Sequence, residues 1–171
     1  FLYAGLMISP EGAVKVLEFN CRFGDPETQP IMMRLQSDLV DLVEAALEQR
    51  LHQVQVNWDP RIALGVVLAA AGYPFDYPKG EIICGLDDVQ LTAPDVKVFH
   101  AGTANRDGRV VTAGGRVLCA CALGNTVGQA QTKAYAVVNR ISWNHIYFRT
   151  DIGWRALQRN VSGEYGRIHS P

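Results

Sequence analysis

The residues best suited to chemistry stand close together near the start of the chain, in the row Glu18-Phe19-Asn20-Cys21-Arg22. Val14 to Phe19 is apolar and β-prone, so it predicts a strand in which alternate side chains share a face. Glu18 and Asn20 offer oxygen ligands that suit a hard cation such as Mg²⁺, which keeps water and phosphate as its other ligands. Arg22 adds a charged, planar set of donors for phosphate or carboxylate oxygens. The row therefore predicts a site that holds a metal ion and a phosphate together.

A solvated strand face is the alternative interpretation of the same row. Glu, Asn and Arg side chains most often lie on the protein surface. The residues that follow, Gly24-Asp25-Pro26-Glu27, have an ordinary turn composition. Spacing alone leaves both interpretations open.

Composition and charge limit the classes of protein to which the chain can belong. It has 171 residues, 48% of them hydrophobic, which is enough for a core and for one domain or one and a half. The formal net charge is -1, from 16 basic and 17 acidic residues, so no overall field attracts nucleic acid or an anionic membrane. The sequence shows no apolar run long enough for a membrane span and no signal peptide. We therefore expect a soluble cytoplasmic protein whose partners are small molecules or protein, not nucleic acid or membrane.

The four cysteines do not have the pattern of a zinc site. Cys21, Cys84, Cys119 and Cys121 include no Cys-x-x-Cys pair, and no His cluster completes a set of ligands. Buried, reduced thiols are expected instead, with Cys119 and Cys121 acting as small apolar residues.

A hairpin that begins at residue one is the first predicted element. Phe1 to Ile8 has the composition of a buried strand, Ser9-Pro10-Glu11-Gly12 that of a turn, and Val14 to Phe19 that of a second strand. We expect the chain to start inside a fold, with a larger protein supplying what comes before it.

A helix and then a second, strand-rich unit are predicted to follow. Asp38 opens a helix whose apolar face should pack on the sheet, and Trp58-Asp59-Pro60 is a plausible boundary. Thr126 and Gln129 form a capping box for a later helix, and a short helix is expected from Asp151 to Arg159. The strands of this unit, predicted to form an antiparallel meander, are Ile62 to Ala71, Val96 to Thr103, Arg109 to Ala113 and Arg116 to Leu123. The predicted fold class is α+β.

Two smaller features allow both a functional and a structural interpretation. His100 lies at a strand end, where it could face a substrate, but a lone His is more often a structural residue, and we assign it no catalytic role. Gly114-Gly115-Arg116 lacks the following helix that a phosphate-binding loop needs, so a tight hairpin turn with possible substrate contact is expected.

The stretch Glu18-Phe19-Asn20-Cys21-Arg22-Phe23-Gly24-Asp25-Pro26-Glu27-Thr28-Gln29 resembles the end of the ATP-grasp catalytic domain in the phosphoribosylamine–glycine ligase family. Further motifs resemble that family in the same order, and they are Gly65 to Pro74, Val98 to Thr103, Gly114 to Leu118, Ala122 to Gly124 and Asp151 to Ala156. The resemblance implies that residues 1–58 end the ATP-grasp domain and residues 59–159 form a small, strand-rich C-terminal domain. Residues 160–171 are expected to be a mobile tail.

The resemblance also implies an activity and a role for each site residue. The family joins glycine to 5-phosphoribosylamine in purine biosynthesis, through a glycyl phosphate made from ATP, and releases ADP and phosphate. Glu18 and Asn20 would be ligands of Mg²⁺ or Mn²⁺ on the ATP phosphates, and Arg22 would be catalytic by stabilising the acyl phosphate. Residues that would bind the substrates are Gly24, Asp25, Pro26, Glu27 and Thr28, with Asp25 a partner for an amine.

Two alternatives remain open at this point. Another ATP-grasp ligase, such as a biotin carboxylase, also presents Glu-x-Asn-x-Arg. The chain could instead be a non-catalytic fragment that folds only against its missing half. Because the family's ATP-covering parts lie upstream of anything that matches Phe1, we predict that this chain alone neither binds ATP tightly nor turns over.

Overall fold

The computed structural model describes residues 1–87 and 94–161, with side chains described as far as residue 158. The described helices and strands, in chain order, are β1 (Tyr3–Ile8), β2 (Val14–Asn20), α1 (Thr28–Arg34), α2 (Leu39–Leu47), a 3₁₀ turn (Leu51–Gln53), β3 (Ile62–Ala69), β4 (Val96–His100), β5 (Thr103–Arg106), β6 (Arg109–Thr112), β7 (Arg116–Gly124), α3 (Val127–Val138) and α4 (Trp154–Val161). The mixture of helices and antiparallel strands confirms the predicted α+β class.

The N-terminal hairpin has the predicted strands and turn but not the predicted burial. β1 and β2 pair antiparallel, from Tyr3 opposite Asn20 to Ile8 opposite Val14. The expectation of a buried strand is wrong for this chain, because no other described element covers the hairpin faces. Apolar side chains left exposed are Leu2, Leu6, Met7, Ile8, Val14, Val16, Leu17 and Phe19.

A three-stranded antiparallel sheet forms the centre of the molecule, in the order β3-β7-β4. Long apolar runs favour this arrangement because β7 is buried along almost its whole length and needs a neighbour on each side. Helix α3 packs on one face of the sheet, against Leu64, Val66, Leu118 and Ala120. Helix α1 lies against β3 and β7, with Pro30 over the position of Gly65 on the other face. The core therefore sits between the sheet and α3.

The strand order differs from that of a meander, although the antiparallel pairing is confirmed. β5 and β6 form a separate hairpin through a two-residue turn at Asp107-Gly108, where φ is 53° and 76°. β7 pairs with β3 and β4, not with the preceding strand β6. The predicted hairpin turn at Gly114-Gly115 is therefore wrong, and the N–H groups of Ala113 and Gly114 donate instead to the Gly102 carbonyl.

Helices α2 and α3 begin at the predicted capping residues. Asp38 Oδ1 accepts from the Val40 N–H at 2.7 Å, and Thr126 Oγ1 accepts from the Gln129 N–H at 3.2 Å. The expectation that the helix after Asp38 packs on the sheet is wrong, because α1 occupies that position. Together α1, α2 and the 3₁₀ turn enclose an open apolar cavity of about 520 Å³.

The segment after α2 returns to α1 before it enters β3. The Asp59 N–H donates to the Arg34 carbonyl at 2.7 Å, and Arg34 Nε donates to the Asp59 carbonyl at 3.0 Å. A domain boundary at residues 58 and 59 stays a prediction, as does the tail from residue 160, most of which lies outside the described residues. Within the described ranges, no helix has both the length and the apolar character needed to cross a membrane.

Candidate functional site

Glu18 and Asn20 lie at the end of β2, where Glu18 faces Gly5 and Asn20 faces Tyr3 on β1. They are two residues apart on a strand and so share one face of the hairpin. The Nδ2 atom of Asn20 is buried and has no hydrogen-bond partner among the described residues. Within the residues that the structure describes, no three His, Cys, Asp or Glu side chains lie close enough together to hold a metal ion. Glu18 and Asn20 thus offer two oxygen ligands that would need others from a substrate or from water.

Arg22 does not continue the strand, contrary to the alternation that we expected. β2 ends at Asn20, and the chain bends so that Arg22 Nη1 donates to the Phe23 carbonyl at 2.8 Å. The bend has a packing cause, since the ring of Phe23 lies 4.3 Å from that of Phe1, centroid to centroid. Arg22 is exposed and lies two residues beyond the end of β2.

The loop from Gly24 to Thr28 is held in a closed turn by its own ends. The N–H and Oγ1 of Thr28 both donate to the Gly24 carbonyl, at 3.0 and 2.6 Å. A Cβ atom at Gly24 would lie 2.4 Å from Glu27 Oε2 and 2.6 Å from the Tyr3 ring. Only glycine therefore allows the loop to approach the hairpin this closely.

Tyr3 connects the loop with the end of β2. Its hydroxyl donates to Glu27 Oε1 at 3.4 Å, and its backbone pairs with Asn20. The negative charge of Glu27 is the main cause that raises the pKa of Tyr3, Glu18 raises it further, and Arg22 opposes both. The charged groups of the strand end and of the loop thus act on one hydroxyl. Tyr3 was not predicted as a site residue, because its position in a strand is the only signal that the sequence offers for it.

Arg116, at the start of β7, reaches the loop from the central sheet. Its Nη2 donates to Asp25 Oδ2 at 2.7 Å, and its guanidinium lies over the Tyr73 ring, 5.7 Å from the centroid. The Gly114-Gly115-Arg116 segment was expected to be a turn with possible substrate contact, but not a partner of Asp25. A separation of 91 residues leaves no local signal for this pairing.

The other candidates have structural environments. His100 Nδ1 lies 3.0 Å from Thr103 Oγ1, in line with a structural role. Cys119 and Cys121 are buried with their sulfurs 3.6 Å apart, and this contact and burial raise the pKa of Cys121. All four cysteines are free, but the expectation of buried thiols is wrong for Cys21 and Cys84, which are exposed.

Comparisons with known proteins match both parts of the chain. Residues 63–155 match the family model described as "Phosphoribosylglycinamide synthetase, C domain". Residues 1–28 match "Phosphoribosylglycinamide synthetase, ATP-grasp (A) domain". All of the candidate residues from Glu18 to Thr28 lie in the second match.

Curated relatives and a solved structure agree with these models. Over 159 residues, 93% of this chain, it is 60% identical to a phosphoribosylamine–glycine ligase from Vibrio parahaemolyticus and 63% identical to one from Pseudomonas aeruginosa. A crystal structure of phosphoribosylamine–glycine ligase from Thermotoga maritima is similar over 88% of the chain, with a TM-score of 0.67 and 34% identity. The chain spans 37% of the length of these two relatives and 36% of the Thermotoga chain.

Proposed function

Because the chain belongs to the phosphoribosylglycinamide synthetase family, we propose that it forms the end of the ATP-grasp domain and the C domain of a phosphoribosylamine–glycine ligase. The resemblance found in the sequence is confirmed by these matches, which do not favour a biotin carboxylase. In the proposed reaction of the whole protein, the glycine carboxylate takes the γ-phosphoryl group of ATP and ADP leaves. The amine of 5-phosphoribosylamine then attacks glycyl phosphate, and phosphate leaves as glycinamide ribonucleotide forms. This is a step of purine biosynthesis.

One observation carries the proposal more than any other. Glu18 and Asn20 share a face at the end of β2, and Tyr3 joins that end to the loop from Gly24 to Thr28. Residues that suit a metal ion and residues that suit an amine are therefore brought side by side within the segment that matches the ATP-grasp domain.

A divalent cation fits the donors present. Glu18 supplies carboxylate oxygens and Asn20 an amide oxygen, and the buried Nδ2 of the same amide has no hydrogen-bond partner within the described chain. We propose that these two residues hold Mg²⁺ or Mn²⁺, with water and ATP phosphates as the other ligands. The ion, when bound, would neutralise negative charge on the phosphates. Activity measured with Mg²⁺ and then with Mn²⁺ would show which of the two ions the site uses.

The other residues proposed for the site would stabilise charge on the substrates or hold the loop in place. Arg22 is exposed at the strand end, where its guanidinium would stabilise the charge that develops on the transferred phosphoryl group. Asp25 would attract the amine substrate. Gly24, Pro26, Glu27 and Thr28 would give the loop its shape, through the Thr28 hydrogen bonds and the contact of Glu27 with Tyr3.

The test uses the Vibrio parahaemolyticus ligase in which this chain replaces the matching segment, which we call the substituted ligase. We expect ADP release that depends on both glycine and phosphoribosylamine. Glu18→Gln and Asn20→Ala should each lower kcat/KM at least about 100-fold. Even the loss of a residue that only hydrogen-bonds to a metal ligand lowers metal affinity or activity about 10- to 100-fold. Glu11→Gln, which changes a carboxylate in the hairpin turn, is the matched control and should leave the activity unchanged.

Two results would contradict the proposal. One is a substituted ligase that folds but releases no ADP in response to glycine. The other is an equal change in kcat/KM for Glu18→Gln and Glu11→Gln, which would favour the alternative that the chain is a non-catalytic fragment. Glycine-dependent ADP release by the isolated 171-residue chain would contradict the narrower prediction that this chain alone is inactive. Location in the cytoplasm, and the lack of nucleic-acid and membrane partners, stay predictions.

A further inference from the structure

The contact between Arg116 and Asp25 joins two parts of the chain that match different domain models. Asp25 lies in the segment that matches the ATP-grasp domain, and Arg116 lies in the segment that matches the C domain. The Arg116 Nη2 to Asp25 Oδ2 distance is 2.7 Å. The C domain therefore places a cation directly on the loop to which we assign substrate binding.

Both partners are fixed by their surroundings. Arg116 pairs with Ala69 of β3, and its carbonyl accepts from the Gly102 N–H at 2.9 Å. The Tyr73 ring lies beneath its guanidinium. On the other side, the Thr28 hydrogen bonds close the loop that carries Asp25. The orientation of the Asp25 carboxylate is thus set by an element of the central sheet.

The exposure of the pair argues against a purely structural role. The side chains of Arg116 and Asp25 are 41% and 51% exposed. Ion pairs this accessible to water contribute little to folding stability. They are, however, accessible to a ligand, and a carboxylate held at one end by a cation keeps its other oxygen free to bind an amine.

We propose that Arg116 is a positioning residue for the amine substrate, acting through the carboxylate of Asp25. The proposal rests on the function proposed above, in which Asp25 attracts the amine of phosphoribosylamine. Arg116 keeps Asp25 turned toward the position of that amine. The C domain thereby takes part in substrate recognition as well as in the fold.

Kinetics of the substituted ligase test this role. We expect Arg116→Gln to raise the KM for phosphoribosylamine about 10-fold or more while the KM for ATP is unchanged, because the lost hydrogen bond involves charged groups. Arg116→Lys keeps the charge but not the planar guanidinium, so it should recover part of the loss. Arg149→Gln removes a similarly exposed ion pair, with Asp151, within the segment that matches the C domain, and is the control.

A charge exchange separates positioning from simple attachment of the two domains. The double variant Asp25→Arg, Arg116→Asp restores an ion pair but puts a cation on the loop, so the thermal midpoint should stay close to that of the unmodified substituted ligase while the KM for the amine is as high as in Arg116→Gln. Recovery of that KM, or an unchanged KM in Arg116→Gln, would overturn the inference. If the unmodified substituted ligase releases no ADP in response to glycine, the proposed function itself has failed.

Discussion

The N-terminal hairpin and the central sheet are both antiparallel and both rich in apolar residues, but only the sheet buries them. Leu118 in β7 is fully buried, whereas Leu17 in β2 is 64% exposed. The residues proposed for metal and substrate binding lie in or next to the exposed hairpin. Folding stability thus depends mainly on the sheet, whereas most residues of the proposed chemistry lie outside it.

The largest difference is expected from matched leucine substitutions. Leu118→Ala removes buried methyl groups between the sheet and α3 and should lower the free energy of unfolding by about 2 to 5 kcal/mol. Leu17→Ala makes the same chemical change on the hairpin and should cost less than about 1 kcal/mol. Urea denaturation of this chain, followed by circular dichroism, measures both. Equal costs would show that the hairpin shares in the core.

A smaller effect is expected at the helix N-termini. Thr126→Ala removes the cap of α3, which packs in the core, and should lower the free energy of unfolding by about 1 kcal/mol. Asp38→Ala removes the cap of α2, in which Ala45 is the buried residue, and should mainly fray that helix. Hydrogen exchange distinguishes a local opening from a global loss of stability. If Asp38→Ala lowered the free energy of global unfolding as much as Thr126→Ala, the two helices would contribute equally to stability, contrary to our expectation.

The smallest effect concerns acid pH at the junction between the two regions. Hydrogen bonds from Nε and Nη2 of the Arg61 guanidinium to the Asp59 carboxylate are the main cause that lowers the pKa of Asp59 to about 2. Because the folded pKa lies below the unfolded one, ionised Asp59 stabilises the fold above pH 4, and this contribution is lost as the pH falls toward about 2. Asp59→Asn should therefore flatten the pH dependence of stability in that range. Fluorescence of the neighbouring Trp58 during acid titration follows this pH dependence. An unchanged slope of stability against pH in Asp59→Asn would refute the stabilising role of ionised Asp59.

Elements with strong local signals were predicted correctly. The apolar runs of β3 and β7, the capping box of α3 and the turn of the first hairpin all follow from neighbouring residues. α1 was missed because Pro30 and the preceding turn composition argue against a helix. Its proline lies in the first turn, where the missing N–H removes no helical hydrogen bond.

Features that depend on distant residues were not predictable. The central position of β7 depends on pairing with strands far away in the chain, and the exposure of the hairpin depends on what covers it. Within the candidate site, the types and spacing of Glu18 and Asn20 could be recognised from the sequence. The bend at Arg22 and the contact of Asp25 with Arg116 result from packing between separate segments.

Gly65, in the middle of β3, has a consequence that reaches beyond its own strand. A Cβ atom there would lie 3.0 Å from Cys121 Sγ and 3.2 Å from both Cys119 Sγ and Pro30 Cγ. The absent side chain thus sets how closely α1 approaches the sheet, and α1 begins where the loop carrying Asp25 ends. A side chain at this half-buried position would therefore press on α1, and the displacement would reach the loop that carries Asp25 without any change in the residues of that loop.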